Sequence, residues 1–263
     1  MDFEYKKDIK YKKVDNVSLF LDILMPKNLK SPAPCVVWFH GGGWQEGGKS
    51  DIGSMPFLPG ELLERGVCVI CAEYRLVNKN GGGFSQSISD AKDAVEFVKT
   101  ISYIDKNRIF TGGISAGAYL ALETAMLYKN LNIRGVLSFS GITYMRGGDS
   151  EFSTLYVPPT TQGYIDAFLN SSQAPIDNKV NPSDLFGECK QSLRFFIAHG
   201  DMDECVNVKS ADVFAKRAED LGFEIMYIRI KYSNHTFSPV GGIISPSLKQ
   251  IMHVAAEFVN KCS

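Results

Sequence analysis

Short apolar runs alternate along the chain with stretches in which apolar residues recur at helical spacing. The runs have the length and composition of strands that are buried on both faces of a sheet. They predict strands at residues 35–39, 67–74, 109–110, 133–139, 193–198 and 223–230. The periodic stretches predict helices at residues 55–65, 88–101, 119–128, 211–221 and 251–258. This alternation favours an α/β fold, with a mostly parallel central sheet and helices on both faces.

Two parts of the chain depart from this rhythm. At the N-terminus, residues 5–13 and 17–25 predict two strands of an antiparallel hairpin, joined at Asp15-Asn16. Residues 141–186 hold four prolines among scattered aromatic residues, and they predict a short irregular cap insert without a helix that has a wide apolar face. In a compact domain such a segment is usually a functional lid or binding loop. Because no repeat or linker divides the chain, we expect one domain over residues 1–263.

Charge and composition exclude several classes of function. The 263 residues carry a formal net charge of −1, which gives no reason to expect a nucleic acid or an anionic membrane as partner. The N-terminal residues are charged and lack the apolar core of a secretory signal. No apolar run is long enough to span a bilayer. These features predict a cytoplasmic protein.

The motif GISAG at residues 113–117 has the pattern G-x-S-x-G of a nucleophile elbow. An apolar strand precedes it and a helical pattern follows it, which is the context that such an elbow requires. A serine on a tight strand-to-helix turn needs neighbours with almost no side chain. The turn also places Ser115 at a helix N-terminus, where backbone N–H groups face developing negative charge. Ser115 is therefore the predicted nucleophile.

A glycine loop, HGGGW at residues 40–44, follows the strand at 35–39. Glycines let the backbone turn its N–H groups toward a ligand with no side chain in the way. We expect the amides of Gly42, Gly43 and Ala116 to bind an oxyanion. His40 is expected to brace the loop. Trp44 is expected to border the acyl site and to restrict it to short acyl groups.

A serine hydroxyl needs a base, and the base needs a third group that orients it. His235 lies in a late loop beyond the last strand and fits the order serine, acid, histidine. His253 falls on the closing helix, and His199 ends a strand where a structural role is expected. The favoured acid is Asp203, while Asp201 and Glu204 remain alternatives. Asp201 directly follows Gly200, so it is expected to shape the turn.

These segments all follow predicted strands, and in open parallel sheets ligands bind beyond the carboxyl ends of the strands. The glycine loop, Ser115, residues 199–206 and the His235 loop are therefore expected to converge on one edge. The CxxC pair Cys68 and Cys71 lies inside a predicted strand without a turn, which argues against a metal or redox site.

The order of motifs resembles the α/β-hydrolase esterases of the hormone-sensitive-lipase-like and acetylesterase branch. The segments that carry the resemblance are LDILMP, VVWFHGGGW, AEYRL, GGISAGAYLA, IAHGDMD and NHTF. The resemblance covers nearly the whole chain except residues 141–186. It implies an α/β-hydrolase fold with Ser115, Asp203 and His235 as the triad. It also implies that Gly42, Gly43 and Ala116 form the oxyanion hole, and that no metal or cofactor is needed.

The predicted function is that of a serine carboxylesterase for short-chain acyl esters, acetyl esters above all. An amide or formamide hydrolase of the kynurenine-formamidase type is an alternative with the same chemistry. A non-catalytic ligand-binding protein with a hydrolase fold is an alternative from another class. Hydrolysis of p-nitrophenyl acetate distinguishes the catalytic hypotheses from the non-catalytic one.

Overall fold

One β-sheet is the framework of the structure. The computed structural model describes residues 3–27, 29, 32–55, 57–145, 155–171 and 179–261. The strands within these ranges are β1 (Phe3–Val14), β2 (Val17–Pro26), β3 (Ala33–Phe39), β4 (Cys68–Ala72), β5 (Ile104–Ile114), β6 (Gly135–Phe139), β7 (Arg194–Gly200) and β8 (Ile225–Ile230). These eight strands of the described chain form a sheet in the order β1-β2-β4-β3-β5-β6-β7-β8.

The strand directions match the sequence prediction. Strands β1 and β2 pair antiparallel, and β2 pairs antiparallel with β4. Every other pair of neighbours in this sheet is parallel. Strands β3, β4 and β6 are buried along their whole length, as their continuous apolar runs predict. The mostly parallel sheet with an antiparallel N-terminal hairpin is therefore confirmed.

Helices cover both faces of the sheet, as predicted. They are α1 (Leu58–Glu64), α2 (Phe84–Val98), α3 (Ala116–Leu127), α4 (Pro159–Asn170), α5 (Val208–Asp220) and α6 (Leu248–Lys261). Apolar residues of α2, α3 and α5 share one core, and those of α1 and α6 share a second core. Among the described helices, none is long and apolar enough to cross a membrane.

The strand register brings the expected loops to one edge of the sheet. Phe39 at the end of β3 pairs with Gly113 of β5, and Gly113 pairs with Ser138 of β6. Phe139 at the end of β6 pairs with Ala198 of β7. The chain leaves each of these parallel strands at its carboxyl end, so the glycine loop, the serine elbow and the loop after β7 meet there.

The insert at residues 141–186 is more regular than the sequence predicts. It contains α4 and a 3₁₀ helix at Pro182–Asp184, while residues 146–154 and 172–178 lie outside the described residues. The predicted irregularity is wrong for α4, whose Ile165, Phe168 and Leu169 are buried. The adjacent prolines at 158 and 159 favour an irregular segment by sequence alone. Pro159 instead occupies the first helical position, where its missing N–H costs nothing and its fixed φ favours the helix.

The cysteine pair of the CxxC segment lies within β4. Cys68 and Cys71 are both buried and free. Burial raises the pKa of the Cys68 thiol to about 12. Metal binding and thiol–disulfide exchange both need the thiolate, so this pair acts as small apolar side chains in the strand.

Candidate active site

Ser115 lies at the junction of β5 and α3 with a left-handed backbone. It is the N-cap of α3, with φ 54° and ψ −121°. This conformation is uncommon for a residue with a side chain, and such strain is a frequent feature of functional sites. The amide of Ser115 donates a hydrogen bond of 2.9 Å to the carbonyl of Phe139 on β6. The neighbouring strand therefore anchors the turn that presents the serine.

The two elbow glycines face one another in a space that admits no side chain. A Cβ atom on Gly113 would lie 2.4 Å from the carbonyl carbon of Gly117. A Cβ atom on Gly117 would lie 2.1 Å from the carbonyl oxygen of Phe39 and 2.4 Å from that of His40. All of these neighbours are backbone atoms of α3, of β3 or of the glycine loop, so none of them can shift without moving a packed element. The spacing of the motif is thus a packing requirement of this turn.

Replacing Gly117 with alanine should lower the free energy of unfolding by about 3 kcal/mol or more, because backbone atoms must separate to admit the methyl group. Urea unfolding followed by circular dichroism measures this loss. Gly163, on the open side of α4, is the matched control because a Cβ atom added there would have no heavy atom within 4 Å. There alanine should stabilise the protein by about 0.5–1 kcal/mol through helix propensity alone. Equal stability of the two variants would contradict the tight elbow.

The glycine loop lies directly against the serine elbow. A Cβ atom on Gly41 would lie 3.2 Å from the carbonyl oxygen of Ile114 and 3.6 Å from Cβ of Ser115. Gly42 and Gly43 have φ values of 101° and 58°. Among the described residues, the N–H groups of Gly42 and Gly43 have no hydrogen-bond acceptor. Ala116 is the first residue of α3, where the helix itself provides no acceptor. These three amides are candidate donors to an oxyanion.

The side chain of His40 packs against the glycine loop. Its ring stacks on Tyr74 at 4.3 Å between centroids, and Nδ1 donates to the carbonyl oxygen of Gly41 at 2.7 Å. Burial lowers the pKa of His40, although its hydrogen bond to Gly41 opposes the shift. A Cβ atom on Gly47 would lie 2.5 Å from Nδ1, so the ring fills the space under the loop. These contacts agree with the structural role expected for His40.

Asp203 and His235 form a hydrogen-bonded pair at the same edge. Nδ1 of His235 lies 2.8 Å from Oδ2 and 3.0 Å from Oδ1 of Asp203. The side chain of Asp203 has no exposed surface, whereas that of His235 is 13% exposed. Oδ1 of Asp203 also accepts the backbone N–H groups of Cys205 and Val206 at 2.9 and 2.8 Å. The carboxylate is therefore fixed in place independently of the imidazole.

A second histidine, His199, also contacts this carboxylate. Its Nε2 lies 3.1 Å from Oδ2 of Asp203 and 2.9 Å from the carbonyl oxygen of Val206, so Nε2 carries the proton. Burial favours the neutral form of Asp203, but the hydrogen bonds from His199 and His235 outweigh it and hold the pKa of this carboxyl well below its usual range. The sequence predicts only a structural role for His199. Its spacing of four residues before Asp203 is the signal for this contact.

The alternative acids lie elsewhere in the loop. Oδ1 of Asp201 accepts the backbone N–H of Tyr232 at 2.8 Å, which joins the loops after β7 and β8. Oε2 of Glu204 lies 3.3 Å from the backbone nitrogen of His235, not from its ring. Asp201 therefore shapes the turn, as expected, and Asp203 is the carboxylate within hydrogen-bonding distance of the imidazole.

Strand β6 links the histidine loop to the serine elbow. Ser140 Oγ donates to the carbonyl oxygen of His235 at 3.1 Å, and the preceding residue, Phe139, accepts the amide of Ser115. Ser140 has a positive φ of 47°, which turns its side chain out of the strand direction. Ser115, His235 and Asp203 are thus brought to one edge. The remaining histidine, His253, lies on α6, where its Nδ1 is 3.1 Å from Oε2 of Glu61 on α1.

Trp44 is buried in an aromatic cluster, and its expected role in limiting the acyl site stays a prediction. Its side chain has no exposed surface, and the indole stacks on Phe168 of α4 at 4.2 Å with an interplanar angle of 12°. Tyr119 of α3 meets it edge-on at 5.5 Å. Helix α4, in a segment that the sequence predicts to be irregular, supplies the stacking partner that encloses the indole.

Tyr164, also on α4, covers the glycine loop, and no sequence signal identifies it. A Cβ atom on Gly43 would lie 2.6 Å from Cδ1 of Tyr164, so the aromatic ring packs directly on the Gly43 backbone. Thr161, one turn earlier, donates from Oγ1 to the carbonyl oxygen of Cys205 at 2.7 Å. Helix α4 therefore contacts both the glycine loop and the loop that carries Asp203.

Asp203, Cys205 and His235 are the described groups that could hold a metal ion, with ligand atoms within 4.8 Å of one another. However, Nδ1 of His235 and the carboxylate of Asp203 already bond to each other, and two amides and His199 use the rest of that carboxylate. A metal would have to replace this network. The donor set fits an oriented general base better than a metal centre.

Comparison with known proteins gives a family match over most of the chain. The sequence model of the BD-FAE family matches residues 21–218. A probable isoprenylcysteine alpha-carbonyl methylesterase from Oryza sativa subsp. japonica is 39% identical over 104 residues, which are 38% of this chain and 24% of that protein. The chain thus matches about a quarter of the length of this relative. Kynurenine formamidase from Danio rerio is 24% identical over 82% of this chain and 70% of that protein.

Solved structures agree on the fold. Native esterase 2 of Thermogutta terrifontis has a TM-score of 0.75 and 23% identity, and covers 98% of this chain and 92% of that chain. The same esterase phosphonylated by sarin has a TM-score of 0.79 and 23% identity, with 97% and 94% covered. These similarities show the α/β-hydrolase fold.

Proposed function

Because the chain belongs to the BD-FAE family, an α/β-hydrolase family, we propose that it is a serine esterase that hydrolyses short-chain carboxylic esters through an acyl-enzyme. The observation that carries this proposal is the buried Asp203 carboxylate, which lies 2.8 Å from Nδ1 of His235 at the edge where Ser115 is presented. The substrate is a small-molecule ester, and the chemistry requires no cofactor.

In the proposed mechanism, Ser115 Oγ attacks the ester carbonyl carbon while His235 takes its proton on Nε2. The oxyanion that forms accepts hydrogen bonds from the amides of Gly42, Gly43 and Ala116. The imidazolium then gives its proton to the leaving alkoxide, which departs as the alcohol. A water molecule, activated by the same imidazole, hydrolyses the acyl-enzyme and releases the acid.

Asp203 acts through His235 in this mechanism. Its negative charge holds the proton on Nδ1, so that Nε2 is free to accept the proton of Ser115. The charge also stabilises the imidazolium formed during each step. The low pKa of Asp203, which hydrogen bonds from two histidines maintain despite burial, supports this role because it keeps the carboxylate ionised.

A second candidate is an amide or formamide hydrolase, which the similarity to fish kynurenine formamidase over most of both chains favours. The same three side chains could attack a formamide carbonyl. Measuring kcat/KM for p-nitrophenyl acetate and for N-formylkynurenine decides between the two. Esterase function predicts the larger value for the acetate, and a non-catalytic binding protein would hydrolyse neither substrate.

We expect acetyl and propionyl esters to be hydrolysed better than octanoyl or longer esters. The packing of Tyr164 on Gly43 supports this limit, and Trp44 contributes by holding Phe168 and thereby α4. Extra methylene groups would overlap these rings, and overpacking costs typically about 1–3 kcal/mol. The measurement is kcat/KM for p-nitrophenyl esters from C2 to C12, in the wild type and in Tyr164→Ala.

Tyr164→Ala should move the optimum toward longer acyl chains, because it removes the ring that covers the glycine loop. Tyr5→Ala is the control, since Tyr5 is 43% exposed on β1, an edge strand that is separated from β3 by two other strands. A wild-type optimum at C8 or beyond would contradict the short-acyl proposal. An unchanged profile in Tyr164→Ala would show that another group sets the limit.

A further inference from the structure

An apolar pocket opens between the cap insert and the loop that carries Asp203. Its empty space is about 310 Å³, a volume that includes the solvent at its open mouth. The walls come from the start of the insert, from α4 and from residues after Asp203. The apolar residues among those lining it include Ile142, Leu155, Val157, Ile165, Cys205 and Val206. None of the described lining residues carries a charge.

The pocket lies beside the catalytic histidine. Cys205 forms part of its wall, and Sγ of Cys205 lies within 4.8 Å of a ring nitrogen of His235 and of a carboxylate oxygen of Asp203. The amides of Cys205 and Val206 bond to the Asp203 carboxylate. One short segment thus fixes the acid on one side and forms the pocket wall on the other.

The direction of proton transfer in the proposed mechanism indicates which half of an ester lies beside His235. The carbonyl oxygen must face the amides of the glycine loop, where Tyr164 covers Gly43 and limits the acyl group. The leaving oxygen must face His235, because that imidazole supplies its proton. A group attached to the leaving oxygen therefore lies on the His235 side of the site, which is also the side of the wall that Cys205 forms.

We infer that this pocket binds the alcohol half of the ester, and that the alcohol is a small apolar group such as a short alkyl chain or a single saturated ring. The inference rests on the proposed esterase function. Apolar walls reward burial of methylene groups. They offer few partners to the hydroxyl groups of a sugar, because Thr161 and Ser210 in the lining already donate to the carbonyl oxygens of Cys205 and Asn207, and this penalises sugar esters. The pocket therefore selects simple aliphatic acetates over acetylated sugars.

The test keeps the acyl group constant and varies the alcohol. We expect kcat/KM for hexyl acetate to exceed that for methyl acetate by about tenfold or more, and glucose pentaacetate to be the poorest substrate per acetyl group. Hydrolysis is followed by pH-stat titration, which needs no chromogenic leaving group. Similar values for the methyl, hexyl and sugar acetates would overturn the inference.

A variant that fills the pocket gives the second arm. Val157→Trp should lower the ratio of the hexyl to the methyl value by about tenfold, because Val157 lines the pocket and is only partly buried. Val17→Trp is the matched control, since Val17 is also partly buried but lies at the start of β2 in the N-terminal hairpin. A ratio that the Val157→Trp change leaves intact, or a loss that follows acyl length instead, would contradict an alcohol site.

A binding measurement separates this inference from the proposed function. In Ser115→Ala protein with ¹³C-labelled isoleucine methyl groups, 1-hexanol should shift the signals of Ile142 and Ile165, and Val157→Trp should abolish these shifts. If hexanol binds there but no ester is hydrolysed by the wild type, the esterase proposal is wrong and the apolar site stands. If acetates are hydrolysed but hexanol shifts neither signal, the esterase proposal stands and the alcohol site is wrong.

Discussion

Replacing Ser115 with alanine should reduce ester hydrolysis by about 10⁶-fold while the fold remains intact, as loss of the nucleophile does in a serine protease. The backbone at Ser115 is held by the hydrogen bond from its N–H to the carbonyl oxygen of Phe139 and by the packing of the two elbow glycines, and the hydroxyl takes part in neither. Alanine therefore preserves the turn and removes only the attacking oxygen. The measurement is kcat/KM for p-nitrophenyl acetate, together with thermal unfolding.

Covalent labelling gives an independent check on this assignment. A serine-directed phosphonate should modify the wild type once, on the peptide that contains Ser115, and should leave Ser115→Ala unmodified. Ser89→Ala is the control, because Ser89 lies on α2 and its Oγ accepts a hydrogen bond from Lys12, remote from the site. Normal turnover by Ser115→Ala, or an adduct on another serine, would contradict the mechanism.

Asp203→Asn should cost about 10⁴-fold in kcat/KM, because an amide in place of the carboxylate leaves the imidazole in the wrong tautomer. Asp201→Asn should cost less than about tenfold, since Asp201 bonds to the Tyr232 amide and to no imidazole. The two variants remove one charge each, from positions two residues apart, so they form a matched pair. Steady-state kinetics with p-nitrophenyl acetate measures both.

Stability measurements keep this comparison interpretable. Asp203 accepts two backbone amides and faces two histidines, so its replacement should also lower the melting temperature. Activity is therefore measured well below the melting temperature of the less stable variant. The opposite order of activity, with Asp201→Asn the weaker enzyme, would mean that another carboxylate orients His235.

The framework of this fold can be predicted because its signals are local. The continuous apolar run that forms β3 and the glycine pair around Ser115 each specify their own backbone without reference to distant residues. Glycine is required at 113 and 117 because a Cβ atom at either position would overlap backbone atoms. The motif can therefore be recognised from the sequence alone. The order of serine, acid and histidine then follows from the positions of loops at strand ends.

The contacts that the sequence does not reveal are all made across the fold. Tyr164 and Gly43 are far apart in sequence, and nothing in either segment indicates that a ring covers that glycine. The position of Trp44 beside the glycine loop suggests a pocket wall, while its actual environment depends on Phe168. The start of α4 is hidden because a proline such as Pro159 indicates a break unless its place at the first helical position is recognised.

The position of helix α4 bears on how the substrate preference of this protein could evolve. Its Tyr164 and Phe168 pack on Gly43 and Trp44 of the glycine loop. Its Thr161 donates a hydrogen bond to Cys205 in the segment after Asp203. A substitution that moves this helix therefore changes its contacts with the glycine loop and with the segment after Asp203 at the same time. With the acyl and alcohol groups placed as proposed, the two halves of a substrate are not independent traits for selection, and a lineage that accepts a longer acyl group is expected to alter its alcohol preference in the same step.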